Sequence, residues 1–472
     1  MAQITGAKAA EATFIEGKGS AIEVIDIFSN KDEKNVSIVN GVLTFLYYES
    51  ILQDSVRAVV SYSDTGNSVG EGNDPKNYKT ITEGLPLVGQ ERVNVKIQDN
   101  NQNELKMVLY VNKVNPLSED TRKEIVQLEL ASREFIMNEK VRVNTRFDGK
   151  ISDHIKKLLE DKKYLGPTDK SEGKEGFKAK KIDIEETENT YNFVGNNKKP
   201  YYIINWLSRG SVPKLPESGG ATGISAGFLF WETNKGLHFK SIDSLFAQEP
   251  KLSVLYNESP DENNTPPAGY DVKALEYSVS NAVDVQNKLK LGAYSTRLIV
   301  FNPFNTYYEV INPKAEDNED KLSLAGKELP VLNKEFKKED GPDFSRTTYM
   351  LLDPGSLPSG KGIGKGQEQV QKREQENFKP KESLNQGIMR MNQVFSQKTT
   401  ITIPGDFTLH AGDAIFVDAP QVAGDPDNDQ ENTRTGGLYI IADLCHYISA
   451  KNTLTKLNLV RDSFGRKPKS RN

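Results

Sequence analysis

The chain has 472 residues, of which 36% are hydrophobic, and 61 Lys and Arg against 66 Asp and Glu give it a formal net charge of −5. This length predicts roughly two to four domains, and the slightly acidic balance lacks the excess of cations with which proteins bind duplex DNA. The longest apolar runs, such as 228–231, are too short to cross a bilayer. The single cysteine, Cys445, excludes an intrachain disulfide, and the N-terminal residues lack the apolar segment of a secretory signal. The composition predicts a polar globular protein, without membrane insertion, that folds in a reducing cytoplasm.

The first third of the chain has β-type patterns. Residues 1–13 are rich in Ala and Gly without periodicity, which predicts a flexible arm. Runs of β-branched, aromatic and alternating apolar residues then predict strands at 21–27, 42–52, 56–62, 93–97, 105–111 and 125–130. The turn-rich segment 99–103 joins two of these runs and predicts a hairpin. Short antiparallel strands close most economically as a small barrel or sandwich, so residues 14–150 are predicted to form a β-domain of one of these two kinds.

After about residues 138–139 the apolar period changes from two to 3.6. Ile155, Leu158 and Leu159 fall on one face of a predicted helix, at i, i+3 and i+4. Ser152 or Asp153 is placed to cap the start of this helix. The change of period begins a region of different architecture.

The rest of this region, 151–256, is predicted to contain a helix and a hairpin. The helix covers 200–209, where Pro200 occupies the first turn. The hairpin covers 228–239, around a turn of Thr, Asn, Lys and Gly. We therefore predict a helical and hairpin insertion region.

Two further regions complete the predicted domain organisation. Residues 257–398 have strand patterns at 297–303 and 307–311, long polar loops, and a charged helix at 367–378. Residues 399–472 are β in pattern throughout, with strands predicted at 399–403, 414–417, 438–441 and 454–460. The fold class is mainly β with α+β insertions.

Six tyrosines occur as neighbouring pairs: Tyr47 and Tyr48, Tyr201 and Tyr202, Tyr307 and Tyr308. On a strand, neighbouring side chains point to opposite faces, so each pair is predicted to place one ring in a core and one outward. An outward ring of this kind suits an oligomer interface.

The segment 355–362 is the nearest approach to a nucleotide-binding motif. Gly355, Gly360 and Lys361 match the P-loop spacing, but Gly362 stands where a Ser or Thr would contact magnesium, and no buried strand precedes the segment. We interpret the segment as a glycine-rich loop.

Other catalytic signals also lack their structural context. Gly223, Ser225 and Gly227 match the spacing of a nucleophile elbow, but a loop precedes them and a strand follows. Cys445 and His446 are neighbours on a predicted strand, so their side chains point to opposite faces and cannot act as nucleophile and base. The four histidines are far apart, without metal-ligand spacing, and are interpreted as structural: His154, His238, His410 and His446. We predict no catalytic residue, no metal and no cofactor.

The order of turns and strands between residues 400 and 463 forms a recognisable pattern. A strand reaches a tight turn, a second tight turn begins the next strand, and further strands follow. The residues that carry this pattern are Pro404, Gly405, Asp406, Gly412, Asp413, His446, Arg461 and Asp462. The pattern resembles the baseplate hub proteins of contractile-tailed bacteriophages and, more distantly, the hub part of type VI secretion spike proteins. The resemblance extends weakly to the N-terminal hairpins and to 201–209, 228–231 and 236–239, and omits 162–188 and 312–390.

The resemblance implies a homotrimer in which each chain contributes two tube-type β-barrels, so that three chains make a pseudo-sixfold ring. Such a ring adapts the sixfold tail tube to a threefold central spike protein and contacts other baseplate proteins. The tape-measure protein and genomic DNA would pass through its lumen, and an acidic wall does not trap a polyanion. The implied location is the virion, assembled in the host cytoplasm.

Two other functions stay open from the sequence. A cell-wall-degrading tail enzyme would need about 120 or more contiguous residues folded around a catalytic cleft. A receptor-binding tail protein would need an adhesive surface. The hub ranks above both because the C-terminal pattern fits a barrel that completes a ring.

Overall fold

The computed structural model describes residues 20–31, 34–70, 78–120, 122–167, 180–214, 226–256, 266–281, 283–303, 306–315, 319, 322–337, 343–353, 380–420 and 432–468. The predicted arm at 1–13, the segment 355–362, the predicted helix at 367–378, and Gly223 and Ser225 lie outside the described residues. Among the described helices, none is long and apolar enough to span a bilayer.

The described residues are mainly β, as the sequence predicts. The strands are β1 (Ala21–Phe28), β2 (Asn35–Ser37), β3 (Val42–Ser50), β4 (Arg57–Asp64), β5 (Arg92–Gln98), β6 (Glu104–Asp120), β7 (Lys123–Ala131), β8 (Arg146–Phe147), β9 (Lys181–Ile184), β10 (Phe193–Val194), β11 (Phe228–Thr233), β12 (Gly236–Ser241), β13 (Leu252–Leu255), β14 (Val272–Lys273), β15 (Glu276–Asn281), β16 (Thr296–Asn302), β17 (Tyr307–Ile311), β18 (Arg346–Leu351), β19 (Gln397–Pro404), β20 (Ala414–Asp418), β21 (Gly437–Ser449) and β22 (Thr453–Arg461). The helices are α1 (Ile81–Gly84), α2 (Arg133–Lys140), α3 (Ile151–Glu160), α4 (Pro200–Ser208), α5 (Ile242–Phe246), α6 (Val285–Leu291) and α7 (Pro380–Val394).

The N-terminal strands form an antiparallel sheet in the order β3-β4-β7-β6-β5-β1-β2. The predicted hairpin is confirmed: β5 and β6 pair with Val93 opposite Leu109. The alternation in β5 buries Val93, Val95 and Ile97 and leaves the residues between them partly exposed. This period of two lets one face of the sheet cover an apolar core.

The C-terminal strands continue the same sheet. β21 pairs with β20 and β22, β22 pairs with β19, and β19 pairs with β15. β21 also pairs antiparallel with β3, where His446 lies opposite Tyr47. In the described pairings the sheet stays open, because β2, β14 and β15 each pair with a single strand. The predicted closure into two barrels is therefore not observed in these residues.

Helix α3 packs in an apolar core with α4, with one face of the β11–β12 hairpin, and with Val143 and Phe147. Ile155, Leu158 and Leu159 are buried on one face of α3, which confirms the predicted face. The predicted cap is wrong, because α3 begins at Ile151 and both Ser152 and Asp153 lie inside its first turn. The Ser152 N–H donates to Oγ1 of Thr187 at 3.0 Å. A side chain distant in sequence therefore satisfies this backbone N–H in the first turn, which a local capping residue would otherwise have satisfied.

The tyrosine pairs follow the prediction only in β3. Tyr47 is fully buried there while its neighbour Tyr48 is 38% exposed. Tyr201 and Tyr202 also divide between core and surface, but on helix α4. In β17, Tyr307 and Tyr308 are 61% and 63% exposed, so the prediction of one buried ring is wrong for this pair. Tyr307 lies opposite Asn302 at the end of its sheet, beyond the apolar side chains that cover the rest of that face.

Candidate functional site

The motif residues between β19 and β20 fold the chain through two tight turns. At Gly405, an added Cβ would lie 2.3 Å from the Thr453 side chain, so the first turn packs too closely for any larger residue. The Asp406 carboxylate accepts the Thr408 N–H at 2.8 Å. In the second turn, the Asp413 carboxylate accepts the His410 N–H at 2.8 Å. Both aspartates therefore stabilise the local backbone, which is the ordinary function of Asp in turns.

Gly412 allows the second turn to approach the insertion hairpin. Its φ is +91°, in the left-handed region that favours glycine, and an added Cβ would lie 2.5 Å from Cζ2 of Trp231. The Trp231 indole N–H, from β11, donates to the Ala411 carbonyl at 2.9 Å. The turn and the hairpin are thus fixed together by a ring contact and a buried hydrogen bond.

We expect Gly412→Ala to destabilise the protein by about 2–3 kcal/mol, because it adds both backbone strain and a clash with a buried ring. Gly66→Ala is the matched control: Gly66 has φ +82°, and an added Cβ would meet nothing within 4 Å. The control carries the strain alone and is expected to cost about 1 kcal/mol. Thermal midpoints of the two variants test the difference, and equal midpoints would show that the Trp231 contact is unimportant.

Glu49, near the end of β3, is the centre of a buried polar cluster. Its carboxylate accepts hydrogen bonds from the Tyr47 hydroxyl at 2.8 Å, the Asn234 N–H at 2.8 Å and the Ala411 N–H at 2.9 Å. His410 Nδ1 lies 3.1 Å from the same carboxylate. Burial alone would raise the pKa of Glu49, but His410 and the N–H donors hold it below its usual value. The N-terminal sheet, the insertion hairpin and the second turn therefore meet at one carboxylate.

His446 lies beside this cluster because of the β3–β21 register. Its ring stacks on Tyr47 with centroids 6.1 Å apart and meets Phe407 edge-on at 4.9 Å. His446 Nδ1 lies 2.9 Å from Thr455 Oγ1 on the neighbouring strand. Burial lowers the pKa of His446 to about 3, so the ring is neutral at physiological pH.

Three of the four histidines come together, which their sequence spacing did not indicate. His238 lies on β12, stacks on Trp231 at 5.2 Å and has a lowered pKa, chiefly through burial. Glu49 and His410 both act electrostatically on His238 and on His446. The fourth, His154, lies apart in the insertion core, where its Nε2 is 2.7 Å from the Tyr191 carbonyl oxygen.

Arg461 and Asp462, at the end of β22, hold the C-terminal segments together. Arg461 is fully buried and donates to the carbonyls of Gly436 and Gly465 at 2.9 and 2.7 Å. The Asp462 carboxylate is 2.5 Å from Arg390 Nη1 of α7. Burial alone would lower the pKa of Arg390, but the carboxylates of Asp462 and Asp243 raise it, so the guanidinium stays charged.

A second charged cluster joins the insertion region to the N-terminal sheet, and no sequence pattern indicates it. Lys180 lies between Glu134 of α2, at 2.6 Å, and Glu232 of β11. Burial alone would lower the pKa of Lys180, but the two carboxylates raise it. The Val56 N–H donates to the other oxygen of Glu232 at 3.2 Å. The three residues come from segments far apart in sequence and carry no motif, so no local signal marks them.

These clusters are suited to holding segments together. Their carboxylates are engaged by fixed N–H, hydroxyl or cationic partners at hydrogen-bond distance. In the part of the chain that the structure describes, no group of three or more His, Cys, Asp or Glu side chains is placed to hold a metal ion. The structure brings Gly412 and Asp413 next to the Glu49 cluster, with His446 beside it, while Arg461 and Asp462 form a separate cluster with Arg390.

No family model and no curated protein matches the chain. Among solved structures, it is similar to a tail protein from Neisseria meningitidis, with 9% identity, a TM-score of 0.49, and 93% of this chain and 96% of that chain covered. It is also similar to the 43 kDa tail protein of prophage MuSo2 from Shewanella oneidensis, with 10% identity, a TM-score of 0.49, and coverage of 93% and 98%. An Escherichia coli component of the type VI secretion system matches with 9% identity, a TM-score of 0.39, and coverage of 94% and 79%. These are tail and secretion-system proteins, the class that the sequence resemblance names.

Proposed function

We propose that the chain is a structural, non-enzymatic protein of a phage tail, the central hub of the baseplate, and that it acts as a homotrimer. Each chain contributes two tube-type β-domains, one within 14–150 and one completed by 399–472, with 151–256 as a helical and hairpin insertion and 257–398 as strands with long polar loops. Three chains then present six similar β-domains around one axis. This arrangement matches a sixfold tail tube on one side and a threefold spike protein on the other.

The pairing of β3 with β21 carries the proposal. It places the N-terminal antiparallel strands and the C-terminal antiparallel strands side by side in one sheet, over seven residue pairs from Ser50–Asp443 to Thr44–Ser449. Two β units in tandem within one chain are what a pseudo-sixfold trimer requires, because each copy must supply two of the six units. Sheet edges left open in one chain can be covered by the next copy.

Under this proposal, the motif residues are structural. Gly405, Asp406, Gly412 and Asp413 shape the turns, while His446, Arg461 and Asp462 fix the turns and strands to the rest of the chain. The tape-measure protein and genomic DNA pass through the ring, and the net charge of −5 avoids retention of a polyanion. Other baseplate proteins bind outside the ring.

Light scattering of the purified protein, alone and mixed with its candidate spike partner, tests the proposal. Three copies of the 52.6 kDa chain give about 158 kDa. We expect a trimer in at least one of the two samples, at this mass when free and at this mass plus that of the spike when bound. A monomer that persists in both samples would contradict the hub. Peptidoglycan release by the purified protein would instead favour the cell-wall-degrading enzyme, and binding to host cells would favour the receptor-binding protein.

A further inference from the structure

One face of the small sheet β17-β16-β18 carries apolar side chains that nothing in the described residues covers. We name it the β16–β18 face and define it by Ile299 and Phe301 of β16, Tyr308 and Val310 of β17, and Tyr349 and Leu351 of β18. These six residues lie on the same side because of the register. Phe301 is paired with both Tyr308 and Leu351, and Ile299 with both Val310 and Tyr349.

The two faces of this sheet differ sharply in exposure. The alternate residues Leu298 and Val300 are 0% and 2% exposed, and they pack with Leu352 in a small core. On the β16–β18 face, Tyr349 is 78% exposed and Leu351 is 67% exposed. The sheet is therefore attached to the molecule through one face and presents the other to its surroundings.

The exposed area of the β16–β18 face is large enough for a specific protein–protein contact. An aromatic side chain buries about 150–250 Å² when fully covered. Five of the six residues are 36–78% exposed, which corresponds to roughly 500 Å² of exposed apolar surface. Covered by an equal area of another molecule, this gives roughly 1,000 Å² in total, near the lower limit of specific protein interfaces. A soluble monomer seldom leaves an apolar patch of this size uncovered.

The composition of the β16–β18 face points to a protein partner. Two Tyr, one Phe and three aliphatic residues form it, and its centre contains no charged side chain. Protein interfaces are enriched in aromatic residues and depleted of charge at their centres in this way. Arg297 precedes Ile299 on the same side of β16, where it places a single cation at one end of the face.

We infer that the β16–β18 face is an interface with a second copy of this chain, and that neighbouring copies in the assembled ring cover it. This inference rests on the proposed homotrimer and names the surface through which its copies meet. A ring of identical chains needs head-to-tail contacts, in which this face of one copy lies against a different surface of the next. The area estimate fits such a contact as the apolar centre of a larger interface.

The experiment compares tyrosine variants on the face and away from it. Tyr308→Glu combined with Tyr349→Glu places two charges on the β16–β18 face, and Tyr202→Glu is the control. Tyr202 is 55% exposed on helix α4, outside this sheet, whereas the Tyr307 ring stacks on the Tyr308 ring with centroids 6.4 Å apart and is therefore unsuitable as a control. We expect the double variant to associate about tenfold or more weakly in a light-scattering concentration series, with an unchanged thermal midpoint. The control is expected to assemble like the wild type.

The outcomes separate this inference from the proposed function. A double variant that assembles as tightly as the wild type would overturn the inference and leave the trimer in place. A wild type that stays monomeric, alone and with the spike, would overturn the trimer and the inference together. Amide hydrogen exchange of the wild type, compared between the assembled protein and a dilute sample, tests the inference without any variant. Exchange in β17 and β18 is expected to slow on assembly, and no change there would overturn the inference.

Discussion

Replacement of Arg390 by Met is expected to lower the free energy of unfolding by about 3–5 kcal/mol, because it leaves a buried carboxylate without its counter-ion. Asp462 is fully buried, and Arg390 is 1% exposed. Arg390 also donates to the Ser323 carbonyl at 2.7 Å and pairs with Asp243 at 3.0 Å. One guanidinium thus joins α7, the end of β22, α5 and the 322–337 segment, so its loss affects four segments at once. Denaturant titration of the wild type and the variant measures the loss.

Lys214→Met is the control for Arg390→Met. It also removes a cation from an ion pair, but Lys214 and Glu186 are 46% and 63% exposed. Solvent screens such a pair, so a change of at most about 1 kcal/mol is expected. The double variant Arg390→Met with Asp462→Leu should recover part of the loss, since it removes the unpaired charge as well. A loss for Arg390→Met no larger than that for Lys214→Met would contradict this account of the cluster.

The strands could be predicted from the sequence because their local pattern and their burial agree. β5 alternates apolar and polar residues, and the structure buries the apolar set. Helix α7 contains buried residues whose burial the local sequence pattern does not predict. The segment carries apolar residues at helical spacing, but its buried residues also include the polar Gln386, Arg390 and Gln393. They are buried because distant segments supply their partners, as Asp462 does for Arg390.

A similar limit applies to the candidate site. The turns at Gly405 and Gly412 are visible locally, because Gly and Asp are the residues that tight turns need. The partner of the second turn is not visible locally, because Glu49 lies 361 positions before His410. The two meet because β3 pairs with β21, and the second turn is hydrogen-bonded to β21 through Gly412 and Ile441. A buried Glu in a strand has no sequence signature of its own. The residues that form the turns were therefore predictable, while the carboxylate that anchors them was not.

We expect acid to destabilise the protein through His446 between pH 7 and pH 5. In the unfolded chain, His446 binds a proton with a pKa of about 6.5. In the folded protein, burial lowers that pKa to about 3. Between these values the unfolded state binds more protons, so the free energy of unfolding falls as the pH falls. From pH 7 to pH 5 the contribution of His446 is a loss of about 2 kcal/mol.

His446→Asn tests this expectation, since Asn keeps a hydrogen-bonding atom near the position of Nδ1 and cannot titrate. The fall in the free energy of unfolding between pH 7 and pH 5 should be about 2 kcal/mol smaller in this variant than in the wild type. Thr455→Val is the control: it removes the hydroxyl that lies 2.9 Å from His446 Nδ1 but leaves the ring in place. This control should lose stability at both pH values and keep the full pH dependence. If His446→Asn retains the wild-type dependence, the folded state accommodates a charged His446, and burial is not what holds the ring neutral.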